Sequence, residues 1–387
     1  MNVALLVAIV SSLFVAGTCA ASSNAPGQSA EEVQSTASPF ELRSGVIIDP
    51  KRGEAYLMNP HHGIDAIALA SGKLIWSTTA GAKPLTVVDD RLVAQAENPG
   101  DARVLSIVVL DAKSSGQPVF KSALPLPKGV FASIDDGLGT SFIVSINTVR
   151  PRSASSRVQP NSLLLLWRFS QRTISGIAHR GPPEERQTRG AARIDLDTGR
   201  VVPLKTIPEP IEFDGGQVPP NLQHLAESGA LPGAPQRAGQ FFIASEPTGS
   251  GERTTVRRWD AVSGRERANI ELDPGFGVAF PSADGQLLLA NKPIGADATG
   301  RQNYLWSIYS LETGQRVAET RMPTSAAQFF IWRSILVYES GPYGQLIDGK
   351  WTAEPLELRA VDLKTNVEAW KVPLRDTAYH GPFPPRP

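Results

Sequence analysis

Ala66-Ile67-Ala68-Leu69-Ala70-Ser71-Gly72-Lys73-Leu74-Ile75-Trp76 returns in outline near the other end of the chain as Ala360-Val361-Asp362-Leu363-Lys364-Thr365-Asn366-Val367-Glu368-Ala369-Trp370. In each copy an alternating apolar segment meets a short turn carrying Gly or Asn, and a second short apolar segment follows, which reads as strand, turn, strand. Weaker copies lie between, and the turns centre on Ser71-Gly72, Ser115-Gly116, Thr198-Gly199, Ser263-Gly264, Thr313-Gly314 and Thr365-Asn366. Gly72, Gly116, Gly199, Gly264 and Gly314 can take the positive φ that β-branched residues resist. Asp111, Asp195, Asp260 and Asp362, a few residues upstream, can hydrogen-bond the turn backbone. The unit is a hairpin that ends a small antiparallel sheet.

Most turns are separated by the length of a four-stranded blade, about 40–50 residues. Ahead of the first turn lie apolar segments at 46–48, 55–57 and 64–69, with 74–76 behind it; the last copy repeats the order at 329–332, 335–338, 356–361 and 368–372. No convincing amphipathic helix is legible, so the expected fold is all-β, a β-propeller of six four-stranded antiparallel blades, or seven if a long interval conceals a degraded copy. Two intervals exceed one blade. The first holds strands at 141–149 and 163–169 and a polar stretch, 180–190, read as an insertion protruding from one blade. The second, 207–237, is rich in Pro and Gly and reads as a long loop between blades.

These residues resemble a known repeat. Ala-x-Asp-x-x-Thr-Gly-Lys-x-x-Trp is the signature of the pyrroloquinoline-quinone-type β-propellers, a family that spans quinoprotein alcohol dehydrogenases and the non-enzymatic outer-membrane assembly lipoprotein BamB. Ala360, Asp362, Thr365 and Trp370 match it, as do Ala66, Gly72, Lys73 and Trp76. Middle copies keep the turn and lose the Trp to Phe120, Pro203, Ala268 and Ala318. One copy is similar to the tryptophan–aspartate repeat propellers, through Trp259-Asp260 and through Val278-Ala-Phe-Pro-Ser-Ala-Asp-Gly285. The resemblance implies a fold and leaves function open, since propellers serve as enzymes, scaffolds and sensors. It also implies that Trp76 and Trp370 dock neighbouring blades.

Residues 3–16 form an uncharged apolar run, too short for a bilayer core of about 30 Å, and small residues follow up to Ala20. Residues 1–20 therefore read as an export signal, 21–38 as a disordered linker, 39–376 as the propeller and 377–387 as a Pro-rich tail. An uncleaved anchor and a lipoprotein cut before Cys19 are the alternatives. Cys19 is the sole cysteine, so cleavage after Ala20 removes thiolate chemistry, disulfides and cysteine zinc sites from the mature chain. Lys plus Arg (38) equals Asp plus Glu (38), which disfavours nucleic-acid binding through a basic field. The basic stretches Arg150-Pro-Arg152 with Arg157, and Arg253 to Arg258, read as solvated loop or edge residues.

His61-His62, in Asn59-Pro-His-His-Gly63, is the sharpest polar pair, because neighbouring imidazoles can bind metal or move protons near neutral pH. Adjacent side chains on an extended chain point apart, which makes joint coordination awkward, and local hydrogen bonding in a loop is the favoured reading. Pro281-Ser-Ala-Asp-Gly285 has the composition of a tight turn. Hydrolase elbows, phosphate-binding loops and zinc-protease motifs are missing from the sequence, and no recognisable calcium triad supports a quinone. The expectation is an exported, non-enzymatic scaffold that binds another envelope or extracellular protein, with no cofactor, no nucleic acid and no transmembrane segment once processed. The rival is a quinoprotein-like oxidoreductase or small-ligand binder using the central channel, with His61, His62, His179 or His224 near its mouth.

Overall fold

The computed structural model describes residues 38–97, 102–113, 115–134, 140–147, 162–172, 185–207, 220–228, 235–248, 253–298, 300–347 and 350–376. The expected signal, nearly all of the linker, the Pro-rich tail, Cys19, Arg150, Arg152, Arg157 and His179 lie outside them.

Alternating apolar segments and tight turns build one antiparallel sheet after another, five from strands consecutive in sequence and the last interrupted by one hairpin. Blade 1 consists of Val46–Asp49, Glu54–Met58, Ile64–Ala68 and Leu74–Thr78. Blade 2 runs from Lys83–Val88 to Pro118–Pro125, and blade 3 from Thr140–Asn147 to Val201–Leu204. Blade 4 runs from Gln236–Ala238 to Glu266–Glu271, and blade 5 from Gly277–Pro281 to Arg316–Met322. Blade 6 begins at Phe329–Trp332 and ends at Val367–Pro373.

Apolar side chains on both faces of each sheet need cover, and neighbouring sheets supply it. Ile47, Tyr56, Ile64 and Trp76 of blade 1 pack with Val87, Leu92, Val108 and Leu110 of blade 2. Similar clusters join blade 2 to 3, 4 to 5 and 5 to 6. The ring closes where Ile48, Leu57 and Leu69 of blade 1 meet Phe330, Leu358 and Trp370 of blade 6. Trp332 of blade 6 adds an indole hydrogen bond to the Pro50 carbonyl, 3.0 Å long. Six sheets in sequence order, five of their junctions packed by apolar clusters and the first closed onto the last, make a six-bladed β-propeller.

Four features depart from the sequence reading. Phe40–Arg43 adds a fifth strand beside Val46–Asp49; Phe40 stacks edge-on against Phe330, and Arg43 donates to Glu339 at 2.7 Å, so this strand also ties blade 1 to blade 6. A hairpin, Tyr343–Ile347 with Lys350–Glu354, is inserted between the second and third strands of blade 6. The stretch 180–190 is not wholly an insertion, because Glu185–Asp195 is one continuous strand. Gly190 belongs to it for a steric reason: a Cβ there would lie 2.3 Å from the Trp167 indole on the neighbouring strand. Within the expected loop 207–237, Pro220–Glu227 is helical and buries Leu222 against Phe242 and Trp259 of blade 4. This is the only helix among the described residues.

Candidate functional site

The antiparallel order gives the ring two unlike ends. Turns joining first to second and third to fourth strands lie at one end; second-to-third connections lie at the other. All the repeat residues sit at the tight-turn end. Gly72, Gly116, Gly199, Gly264 and Gly314 have φ between 65 and 78°, and Asn366 has 55°. Asp195 accepts backbone N–H bonds from Asp197 and Thr198, and Asp260 accepts them from Val262 and Ser263. The Thr198 and Ser263 N–H groups foremost hold these two carboxyls below the ordinary aspartate range. Asp111 and Asp362 accept the N–H of Lys113 and Lys364 in the same way.

Four of the turns also rest on the preceding blade. A Cβ on Gly72 would strike Trp370 at 2.7 Å, one on Gly116 would strike Trp76 at 2.6 Å, and one on Gly199 would strike Phe120. The indole of Trp76 donates to the Ala112 carbonyl at 3.1 Å, and that of Trp370 to the equivalent Leu69 carbonyl at 2.9 Å. A β-bulge just before the ring turns it onto the next blade: the third–fourth strand register shifts between Ala66 and Ile67 in blade 1 and between Ala360 and Val361 in blade 6. Blades 2 and 5 shift at the equivalent places, Val109/Leu110 and Ile308/Tyr309.

Blades 3 and 4 depart from this scheme in different ways. In blade 4, Ala268 replaces the Trp, and Arg258 fills the slot from the adjacent strand, 1% exposed. Its guanidinium donates to the Leu311 carbonyl, the counterpart of Ala112 and Leu69, and to the Ala268 carbonyl at 2.8 and 2.5 Å. A Cβ on Gly314 would meet it at 2.8 Å. Arg258 is thus no solvated edge residue, and burial pulls its guanidinium below the usual range. The clue in the sequence was an exchange of sizes: Ala66 opposite Trp76 and Ala360 opposite Trp370, against a large Arg258 beside a small Ala268.

Blade 3 has Pro203 at the ring position and an unbroken register from Ala191↔Leu204 to Ile194↔Val201. Blade 3 thus carries neither ring nor bulge at this place. The helix substitutes, since Asn221 donates to the Gly264 carbonyl at 2.8 Å while Leu222 covers the blade 4 face. Among the described residues no apolar cluster joins blade 3 to blade 4.

His61 and His62 lie at the other end, and the structure does not bring their rings together on one partner. His61 is exposed, and its N–H donates to Asn59 at 2.7 Å. His62, at φ 79°, bonds Glu97 of blade 2 at 2.9 Å, and Arg375, from the segment after the last strand, donates to the same carboxylate oxygen at 2.6 Å. Burial works against the Glu97 charge, but the hydrogen bonds from Arg375 and His62 outweigh it and hold the carboxyl low. The trio pins the chain's last described segment across blades 1 and 2. Nothing in the sequence paired Glu97 with Arg375, which are 278 positions apart. His224 is on the helix, exposed. The turn at Ser282 and Asp284 is closed by its own side chains, the Ser282 hydroxyl bonding Asp284 at 2.5 Å and accepting the Leu287 N–H at 2.9 Å. Among the described residues no group of three or more His, Cys, Asp or Glu is placed to hold a metal ion, and no helix is long and apolar enough to cross a membrane.

At this same end the blades differ in height. The middle strands of blade 1 have 5 residues each. Those of blade 3, Ser162–Arg172 and Glu185–Asp195, have 11, and those of blade 5, Leu287–Ala296 and Gln302–Ser310, have 10 and 9. Side chains on their outer portions are exposed, among them Arg168, Arg186, Arg189, Pro293 and Ile294, while Phe169 stays in the cluster shared with blade 2.

No protein-family model matches the sequence, and no curated protein does. Solved structures with a similar course include the dihydro-heme d1 dehydrogenase NirN in complex with DHE, 14% identical, covering 88% of this chain and 67% of that one at a TM-score of 0.31. A europium-containing methanol dehydrogenase is 11% identical over 90% and 82% at 0.30. The WD40 domain of SCAP from fission yeast is 7% identical over 84% and 93% at 0.30. Likenesses this remote assign no activity, and the propeller architecture of this chain rests on its own strand pairing and blade docking.

Proposed function

We propose that this chain is an exported, non-enzymatic propeller that acts as a protein-interaction scaffold in the cell envelope. The observation that supports the reading is the inequality of the two ends. One end is finished by tight turns docked into neighbouring blades. The other raises the strands of blade 3, whose first strand flanks the second as far as Gln171, and a hairpin from blade 5, with side chains such as Arg168, Arg189 and Ile294 in water. Strands paired in this way hold their shape, so they present side chains to a partner at little further ordering cost. The apolar run before Ala20 supports export.

The test is in-cell cross-linking from the tip of the blade 5 hairpin, followed by envelope fractionation. The expected result is a discrete partner in the envelope fraction, lost when the hairpin is shortened to the height of blade 1. A cytoplasmic protein, or a full-length protein that yields no cross-linked partner, would overturn the proposal.

A further inference from the structure

Blade 3 pairs its second and third strands so that Arg168 lies directly opposite Arg189. The same row continues onto the first strand with Ile143, opposite Arg168. Directly opposed side chains have their Cβ atoms only about 4.5–5.5 Å apart, and like charges so placed repel. Both arginines are exposed, and among the described residues neither has an ion pair or hydrogen bond. Ile143 is 40% exposed beside them.

Alternation puts this row on the face of blade 3 that looks toward blade 4. Trp167 and Phe169 point the other way, into the cluster shared with blade 2. In a propeller such a face is ordinarily covered by the next blade. Blade 3 has Pro203 where the docking ring belongs, and the helix, not blade 3, covers the facing side of blade 4. Leu166 and Ala191, one row nearer the tight turns, are buried, so the face is closed at its base and open above.

We propose that this open part of the blade 3 face, with Ile143, Arg168 and Arg189, is the docking site for an acidic segment of the partner protein. The inference rests on the scaffold reading and names the chemistry of its partner. Two guanidinium forks side by side match two carboxylates. The exposed isoleucine in the same row favours a peptide with an apolar side chain between its acids over a lipid headgroup or a bare polyanion. Carboxylates from the partner would relieve the repulsion that the free protein carries.

The probe is a short synthetic peptide in which glutamates flank one leucine, with a glutamine analogue and phosphatidylglycerol vesicles as further arms. The mature protein is compared with Arg168→Glu, which sets a carboxylate opposite Arg189, and with Arg265→Glu, an exposed charge on a tight turn of blade 4. Arg168→Glu should weaken peptide binding by roughly tenfold or more, the scale of one lost charge-assisted hydrogen bond, while its thermal midpoint rises because a like-charge pair has become an opposite one. Arg265→Glu should change neither, and the glutamine peptide should not bind. Peptide binding that survives Arg168→Glu, a midpoint that falls in that variant, or an unmodified protein that binds the vesicles and not the peptide would each overturn the proposal. The two readings fail separately. Cross-linking that finds no partner removes the scaffold and leaves the peptide site, whereas intact peptide binding in Arg168→Glu removes the site and leaves the scaffold.

Discussion

Replacing Arg258 by Ala tests whether a buried guanidinium does in blade 4 what an indole does in blades 1 and 6. The side chain is 1% exposed and makes its bonds to two carbonyls, Leu311 of the next blade and Ala268 of its own. Hydrogen bonds from a charged donor are each worth about 1.5–3 kcal/mol. Set against them is the cost of burying a cation, several kcal/mol, which the Glu312 charge offsets only in part, so that burial still pulls its pKa down. Deletion also leaves a cavity beneath Gly314. The net expectation is a loss of about 2–4 kcal/mol, less than the bonds alone suggest, or roughly 4–8 °C in thermal midpoint at about 2 °C per kcal/mol. The decisive variant is the exchange Arg258→Ala with Ala268→Trp, which sets a small residue and an indole at the positions, counted from the turn glycine, that Ala66 and Trp76 hold in blade 1. It should recover most of the loss in thermal and urea unfolding. If Arg258→Ala melts with the parent, or the exchange is no more stable than the single change, the equivalence of guanidinium and indole is wrong.

Trp76→Ala and Trp370→Ala should each cost about 3–5 kcal/mol in urea unfolding, since each empties an inter-blade slot. Gly72→Ala should destabilise on its own, because a Cβ would strike Trp370 at 2.7 Å; with Trp370→Ala the combined loss should be less than the sum, leaving mainly the backbone cost at positive φ. Glu97→Gln should lower the unfolding free energy at neutral pH by under about 1 kcal/mol, the scale of exposed pairs. The folded carboxyl is held low, so its contribution is complete above the unfolded value of about 4.3 and is lost as pH falls through the folded one; a difference from the parent that persists in acid would refute the assignment. N-terminal sequencing of exported protein should begin near Ala21, and a retained Met1 or a lipidated Cys19 would contradict the processing expected from the apolar run.

The sequence by itself determined the turns, and through them the blades. A glycine that needs positive φ and an aspartate that caps the turn act within a few residues, so Asp195 with Gly199 or Asp260 with Gly264 are legible in a short window. Their spacing yields six sheets. Only the tertiary structure decided what fills the slots between blades, because each slot is shared by residues far apart in the chain. Trp370 closes on Leu69, 301 positions away, and Arg375 finds Glu97 across 278. Arg258 looked like one of a run of surface cations until the neighbouring blade supplied a carbonyl for it. The exposed face of blade 3 was hidden for the same reason: a proline at one position and a missing bulge are local facts, but that they leave Arg168 opposite Arg189 in water depends on how the next sheet is held.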